Sequence, residues 1–72
     1  MSIRSVFDKT LVREGEIRSF QVFMGRDGWE SSEKNDQQIA RHHHADWHQV
    51  ERTLTRFSQE IATLRSEGWL ES

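Results

Sequence analysis

Residues 42–48 read HHHADWH, and they hold the side chains best suited to chemistry in this chain. In an extended strand, alternate side chains project to the same side about 7 Å apart, so His42 and His44 share one face and His43 takes the other. Two imidazoles at that spacing can span a Zn or Ni ion, with His48 or Asp46 as a third ligand. Asp46 has a competing role, because it stands where a helix opens and its carboxylate can accept the free amides of the first turn. The chain has no cysteine to supply a thiolate. His42, His44 and His48 are the candidate ligands that spacing offers, and the reading assigns them no metal. The same cluster is a pH-sensitive element. Imidazoles titrate at about pH 6.5, and charging four of them would carry the net charge of −2 through zero and set the cluster against itself.

Catalytic patterns are missing. There is no GxSxG, no HExxH and no glycine-rich phosphate loop. A His44–Asp46 pair with Ser31 or Ser32 nearby can be drawn, but such pairs arise by chance in any polar sheet. The chain reads as a non-enzyme without a cofactor.

Positioning the histidines requires a strand that ends in a helix, and the rest of the chain supplies both. The segment SIRSVFDKTL is extended, Glu14-Gly15 turns it, and IRSFQVFM alternates as a strand. Asp27-Gly28 is a hairpin signal, since a type I′ turn needs positive φ at both central residues. WESSEK forms a third strand, Asn35-Asp36 turns again, and QQIARHH runs back. From Asp46, with Gln49 completing a capping box, Trp47, Val50, Leu54, Phe57, Ile61 and Leu64 recur at steps of three and four. Gly68 ends the helix in a Schellman arrangement, with Trp69 folding back on Leu64. The expectation is an α+β domain over residues 1–72: an antiparallel four-stranded meander over about residues 2–44, then one helix over about residues 46–67 packed on one face (ββββα).

Pairing across these turns sets Phe7, Leu11, Phe20, Val22, Met24 and Trp29 on the face that takes the helix. Val6, Val12, Ile17, Phe23 and Ile39 fall on the other. Val6, Phe23 and Ile39 are expected to form an apolar strip across that second face, a surface for self-association. A chain of 72 residues without disulfides has reason to cover such a strip, because a core this small leaves roughly 3–5 kcal/mol of stability.

The charge balance is 10 basic against 12 acidic residues, interspersed, which lacks the basic excess of a phosphate-backbone binder. No apolar run approaches the roughly 18 residues that cross a membrane, and MSIRSVFDKT lacks a signal-peptide core. Together with the missing cysteines, this points to the cytoplasm.

Two resemblances accompany these residues. GWE at residues 28–30 with the helix opening DWHQVER at residues 46–52 resembles small uncharacterised bacterial proteins that pair a GWE strand with a DWHxVER helix start, over roughly residues 28–69. The resemblance implies a bacterial source. In element order, the strands with a central Trp, the final helix and the closing Gly-Trp are similar to the WGR domain of poly-ADP-ribose polymerases, which is implicated in nucleic-acid binding. The Trp-Gly-Arg triplet itself is absent, since Trp29 is followed by Glu30. The reading is a non-enzymatic protein that acts through protein contacts, with itself or another protein. The alternative is a nucleic-acid module using Arg4, Arg13, Arg18, Arg26 and Arg41.

Overall fold

A computed structural model describes residues 4–72. The expected strand residues 2 and 3 lie outside the described residues. The element order is β1 (Arg4–Arg13), β2 (Glu16–Gly25), β3 (Gly28–Lys34), β4 (Ile39–His44), α1 (Trp47–Ser66) and β5 (Leu70–Glu71). One antiparallel sheet holds the strands in the order β4-β3-β2-β1-β5, with α1 packed on one face. The α+β meander and terminal helix are as the sequence predicts, and β5 is an addition to them.

The three turns decide the register. Glu14 and Gly15 both take positive φ, 50° and 83°, which sets Phe7 opposite Val22 as expected. Beyond Phe7 a bulge at Val6 brings Ser5 opposite Phe23. The second turn differs from expectation. Its tip is Arg26-Asp27, Gly25 pairs with Gly28, and the positive φ of 124° sits on Gly28 after the tip. Met24 therefore faces Trp29, and Val22 faces Ser31. The third turn is longer than a two-residue tip and spans residues 35–38. The Asn35 side-chain carbonyl accepts from the amides of Gln37 at 2.8 Å and Gln38 at 2.9 Å, and the Asn35 amide donates to the Gln38 carbonyl at 3.0 Å. Each of these two turns slides the pairing by two residues. A slide of two preserves which face a side chain takes, so from Phe7 onward the two-face assignment holds while the neighbours change, and at the bulge Ser5 takes the place expected of Val6.

Helix α1 opens as its sequence specifies. The Asp46 carboxylate accepts from the Gln49 amide at 3.0 Å, and the Gln49 side chain accepts from the Ala45 amide at 2.9 Å. The reciprocal bond of the capping box thus lands one residue before the cap. Val50, Phe57, Ile61 and Leu64 are buried against Leu11, Phe20, Val22 and Trp69, with Phe7, Trp29 and Leu54 at the margin. The Phe57 ring lies 5.2 Å from Phe20, edge-on, and 6.1 Å from Phe7. Trp47 heads the stripe yet stays half-exposed, its ring packed edge-on against Trp29 at 5.0 Å.

The helix end creates the fifth strand. Gly68 takes φ 100°, the Gly68 amide donates to the Arg65 carbonyl at 3.2 Å, and the Trp69 amide donates to the Leu64 carbonyl at 3.0 Å. Those two bonds define a Schellman cap. They reverse the chain, bury Trp69, and lay β5 against β1 with Leu70 opposite Val12 and Glu71 opposite Leu11. The Ser72 amide extends the pairing to the Thr10 carbonyl at 2.9 Å.

Candidate functional site

The histidine cluster is divided by the sheet. Ser31 pairs with His42 and Trp29 with His44, so both imidazoles project toward the helix side, and His43 projects to the other side beside Glu30. His44 Nε2 lies 2.8 Å from Ser31 Oγ and 3.5 Å from Thr53 Oγ1, tying β4 to β3 and α1. Burial, and then the charges of His42, His43 and Arg56, lower the His44 pKa below its ordinary value. His48 is exposed on the first helical turn, and Asp46 is engaged as the N-cap. Among the described residues, no group of three or more His, Cys, Asp or Glu is placed to hold a metal ion. Of the hypothetical catalytic set the fold brings His44 to Ser31 but leaves Asp46 capping α1. Ser31 is only 1% exposed, beneath the helix, and Ser32 projects from the opposite face.

A second polar cluster lies where α1 crosses β3. Arg56 reaches Glu33 at 3.1 Å. Burial, and then the adjacent Glu33, raise the Glu60 carboxyl above its usual range, against the pull of Arg56 and Arg18.

Of the five arginines, the four whose side chains are described divide between the helix side, a turn tip and the opposite face. Arg18 pairs with buried Leu11, and so lies on the helix side, where its guanidinium sits 5.5 Å from the Phe20 ring. Arg13 sits 5.0 Å from the Trp69 ring and donates to the Glu67 carbonyl at 3.1 Å. Arg26 occupies a turn tip, and Arg41 projects from the opposite face of the sheet. The Arg4 side chain lies outside the described residues.

Among the described residues nothing covers the face away from α1, and its register reads as four rows of side chains. At one end Ile17, Val12 and Leu70 lie side by side across β2, β1 and β5. Next come Thr10, Ser19, Lys34 and Ile39, and then Asp8, Gln21, Ser32 and Arg41. The far row is Ser5, Phe23, Glu30 and His43. The expected strip of Val6, Phe23 and Ile39 is not continuous. Two slides of two residues place Ile39 two rows from Phe23, about 13 Å along the strands, and the bulge substitutes Ser5 for Val6 beside Phe23. The apolar row is instead the one that β5 completes: Leu70 is 68% exposed and Ile17 49%. Sequence reasoning placed Val12 and Ile17 on this face but missed Leu70, because a two-residue strand has no periodicity of its own. Between Asp8 and Arg41 runs an open trough of about 450 Å³, with Phe23 in its lining.

Comparison with protein families, with curated proteins and with solved structures gives no match.

Proposed function

We propose that this chain is a non-enzymatic contact protein that binds another protein surface through the sheet face opposite α1. The observation that carries this reading is the apolar row of Leu70, Val12 and Ile17 on a face that none of the described residues covers. A sheet stabilised on one side normally turns polar side chains to water on the other. Here three apolar side chains lie adjacent, and Ile39 adds a fourth on the neighbouring row at 56% exposure. Mixed rows of polar and charged groups flank them, the composition of a protein contact surface with a polar rim.

The non-enzymatic part rests on the sites described above. In the Ser31–His44 contact the serine is buried under the helix, and His44 serves as a structural tie. Among the described residues, no helix is long and apolar enough to cross a membrane. The likeness to small bacterial proteins and the absence of cysteine support a bacterial cytoplasm as its setting.

The test is site-specific photo-crosslinking in cells that produce the protein. The photoreactive residue p-benzoylphenylalanine is placed at position 17 on the open face, or at position 58 on the outward side of α1. The expected result is a cross-linked protein species at position 17, whether to a second copy or to a different chain, and none at position 58. Equal labelling at both positions, or none at position 17, would overturn the reading.

A further inference from the structure

The sheet offers its two edges and one face to a partner, and the edges are poorly suited. The outer strand β4 carries Arg41 and His42 to His44 along a six-residue edge. β1, beyond the stretch that β5 covers, is interrupted by the bulge at Val6. Charged edge residues and bulges both discourage strand addition. Resting on the reading of the open face as a contact surface, we infer that its partner is a second copy of the chain. The two copies are related by a two-fold axis running along the strands, and Arg41 of each copy faces Asp8 of the other.

The register carries this assignment. Asp8, Gln21, Ser32 and Arg41 form one row across four strands, with an anion at one end and a cation at the other. A two-fold axis in the interface plane, parallel to the strands and between β2 and β3, lays β1 on β4 of the copy and β2 on β3. The row then meets its own reverse, and the opposite charges coincide twice, as an isologous contact requires. The same operation sets Lys34 against Ser19. It sets Ile39 against Thr10, one row from Val12 and Leu70, so the exposed isoleucine on one side of the sheet approaches the apolar corner on the other. No like charges meet. The other in-plane two-fold, across the strands, lays each strand on its own copy. It sets Asp8 against Thr10 and Arg41 against Ile39, which leaves both charges without a counterpart. Charge complementarity therefore selects the first operation.

The size of the face agrees. With strands about 4.8 Å apart and about 3.3 Å per residue, the sheet presents on the order of 500–600 Å² per copy. Doubling gives just over about 1,000 Å², the lower bound of specific interfaces. Two twisted sheets packed face to face keep their strands within about 30° of alignment, as this axis demands.

Charge exchange tests the inference. Asp8 and Arg41 are exposed, so Asp8→Arg and Arg41→Asp leave the core untouched, and circular dichroism verifies the fold. In sedimentation equilibrium the wild type is expected to dimerise. Each single variant is expected to dimerise about tenfold or more weakly, because every swap places two like-charged pairs in the interface. An equimolar mixture of the two variants restores the dimer, and so does the double variant Asp8→Arg/Arg41→Asp. Wild-type dimers that survive either single swap, or a mixture that stays monomeric, would overturn this arrangement. A wild type monomeric at several hundred micromolar would overturn self-pairing altogether. A position-17 cross-link to a different protein would then still uphold the broader contact reading.

Discussion

His44 is the residue where chemistry and architecture coincide. Its Nε2 is shared between Ser31 on β3 and Thr53 on α1, so the neutral imidazole acts as a tie between layers. Burial is the main reason its pKa lies below 6.5, followed by repulsion from His42, His43 and Arg56. The linkage follows from that direction. The unfolded chain takes up its proton at about pH 6.5 and the folded chain only at lower pH. Stability contributed by the neutral imidazole is therefore present above about pH 6.5 and is lost as pH falls through the lowered folded value. Glu60 works in the opposite sense. Its raised carboxyl favours the protonated form in the fold, so its contribution is fully present below its ordinary value of 4.5 and is lost as pH rises through the raised one. The two trends overlap in mild acid, so a single pH profile mixes them. A His44→Gln variant keeps a hydrogen-bonding side chain but does not titrate. Urea midpoints measured from pH 7.5 to 5 are expected to fall more steeply for wild type than for His44→Gln. Parallel profiles would remove His44 as the acid-sensitive tie.

At the scale of the element, α1 is specified end to end by its own sequence, but its residues do not contribute equally. Phe57 is fully buried between Phe7 and Phe20, whereas Leu54 lies at the margin of the core. Phe57→Ala removes a buried aromatic side chain, at a cost of about 3–5 kcal/mol. That matches the roughly 3–5 kcal/mol expected for the whole domain, so the variant should be largely unfolded at room temperature. Leu54→Ala should retain a cooperative, weakened transition. Thermal and urea denaturation followed by circular dichroism distinguish the two, and equal losses would mean that burial does not grade the stripe. The turns show how local chemistry acts at a distance. Asn35 organises a four-residue loop through its own side chain, and Gly28 takes the positive φ after the turn tip. Neither detail moves a residue to the other face, yet together they slide β4 by four residues relative to β2.

For the molecule as a whole, the distribution of charge weighs against a nucleic-acid role. The net charge is −2, and Arg13 and Arg18 lie over aromatic rings on the helix side while Arg41 points away from it. A duplex or single strand needs cations aligned along one path to displace its counterions. Fluorescence anisotropy with short DNA and RNA at low salt is expected to show no micromolar binding. Binding at micromolar concentration that weakens steeply with added salt would reinstate the alternative function. The chain's extended surface is instead the uncovered sheet face, where apolar corner, polar rows and opposed charges coexist on a molecule 36 × 24 × 19 Å across.

The sequence by itself determined β1 to β4, α1 and, from Phe7 onward, the two faces of the sheet. Hydrophobic period and capping residues are local signals, and a side chain's face depends only on parity along its strand, which a two-residue slide leaves intact. Tertiary structure alone decided which side chains on a face are neighbours. That depends on the length of each turn, on the bulge at Val6, and on a helix cap that returns the chain to β1. The predicted strip of Val6, Phe23 and Ile39 came apart for this reason. The row of Leu70, Val12 and Ile17 took its place because Leu70 reaches the sheet only through the reversal at Gly68, a contact between segments far apart in the chain that no local pattern encodes.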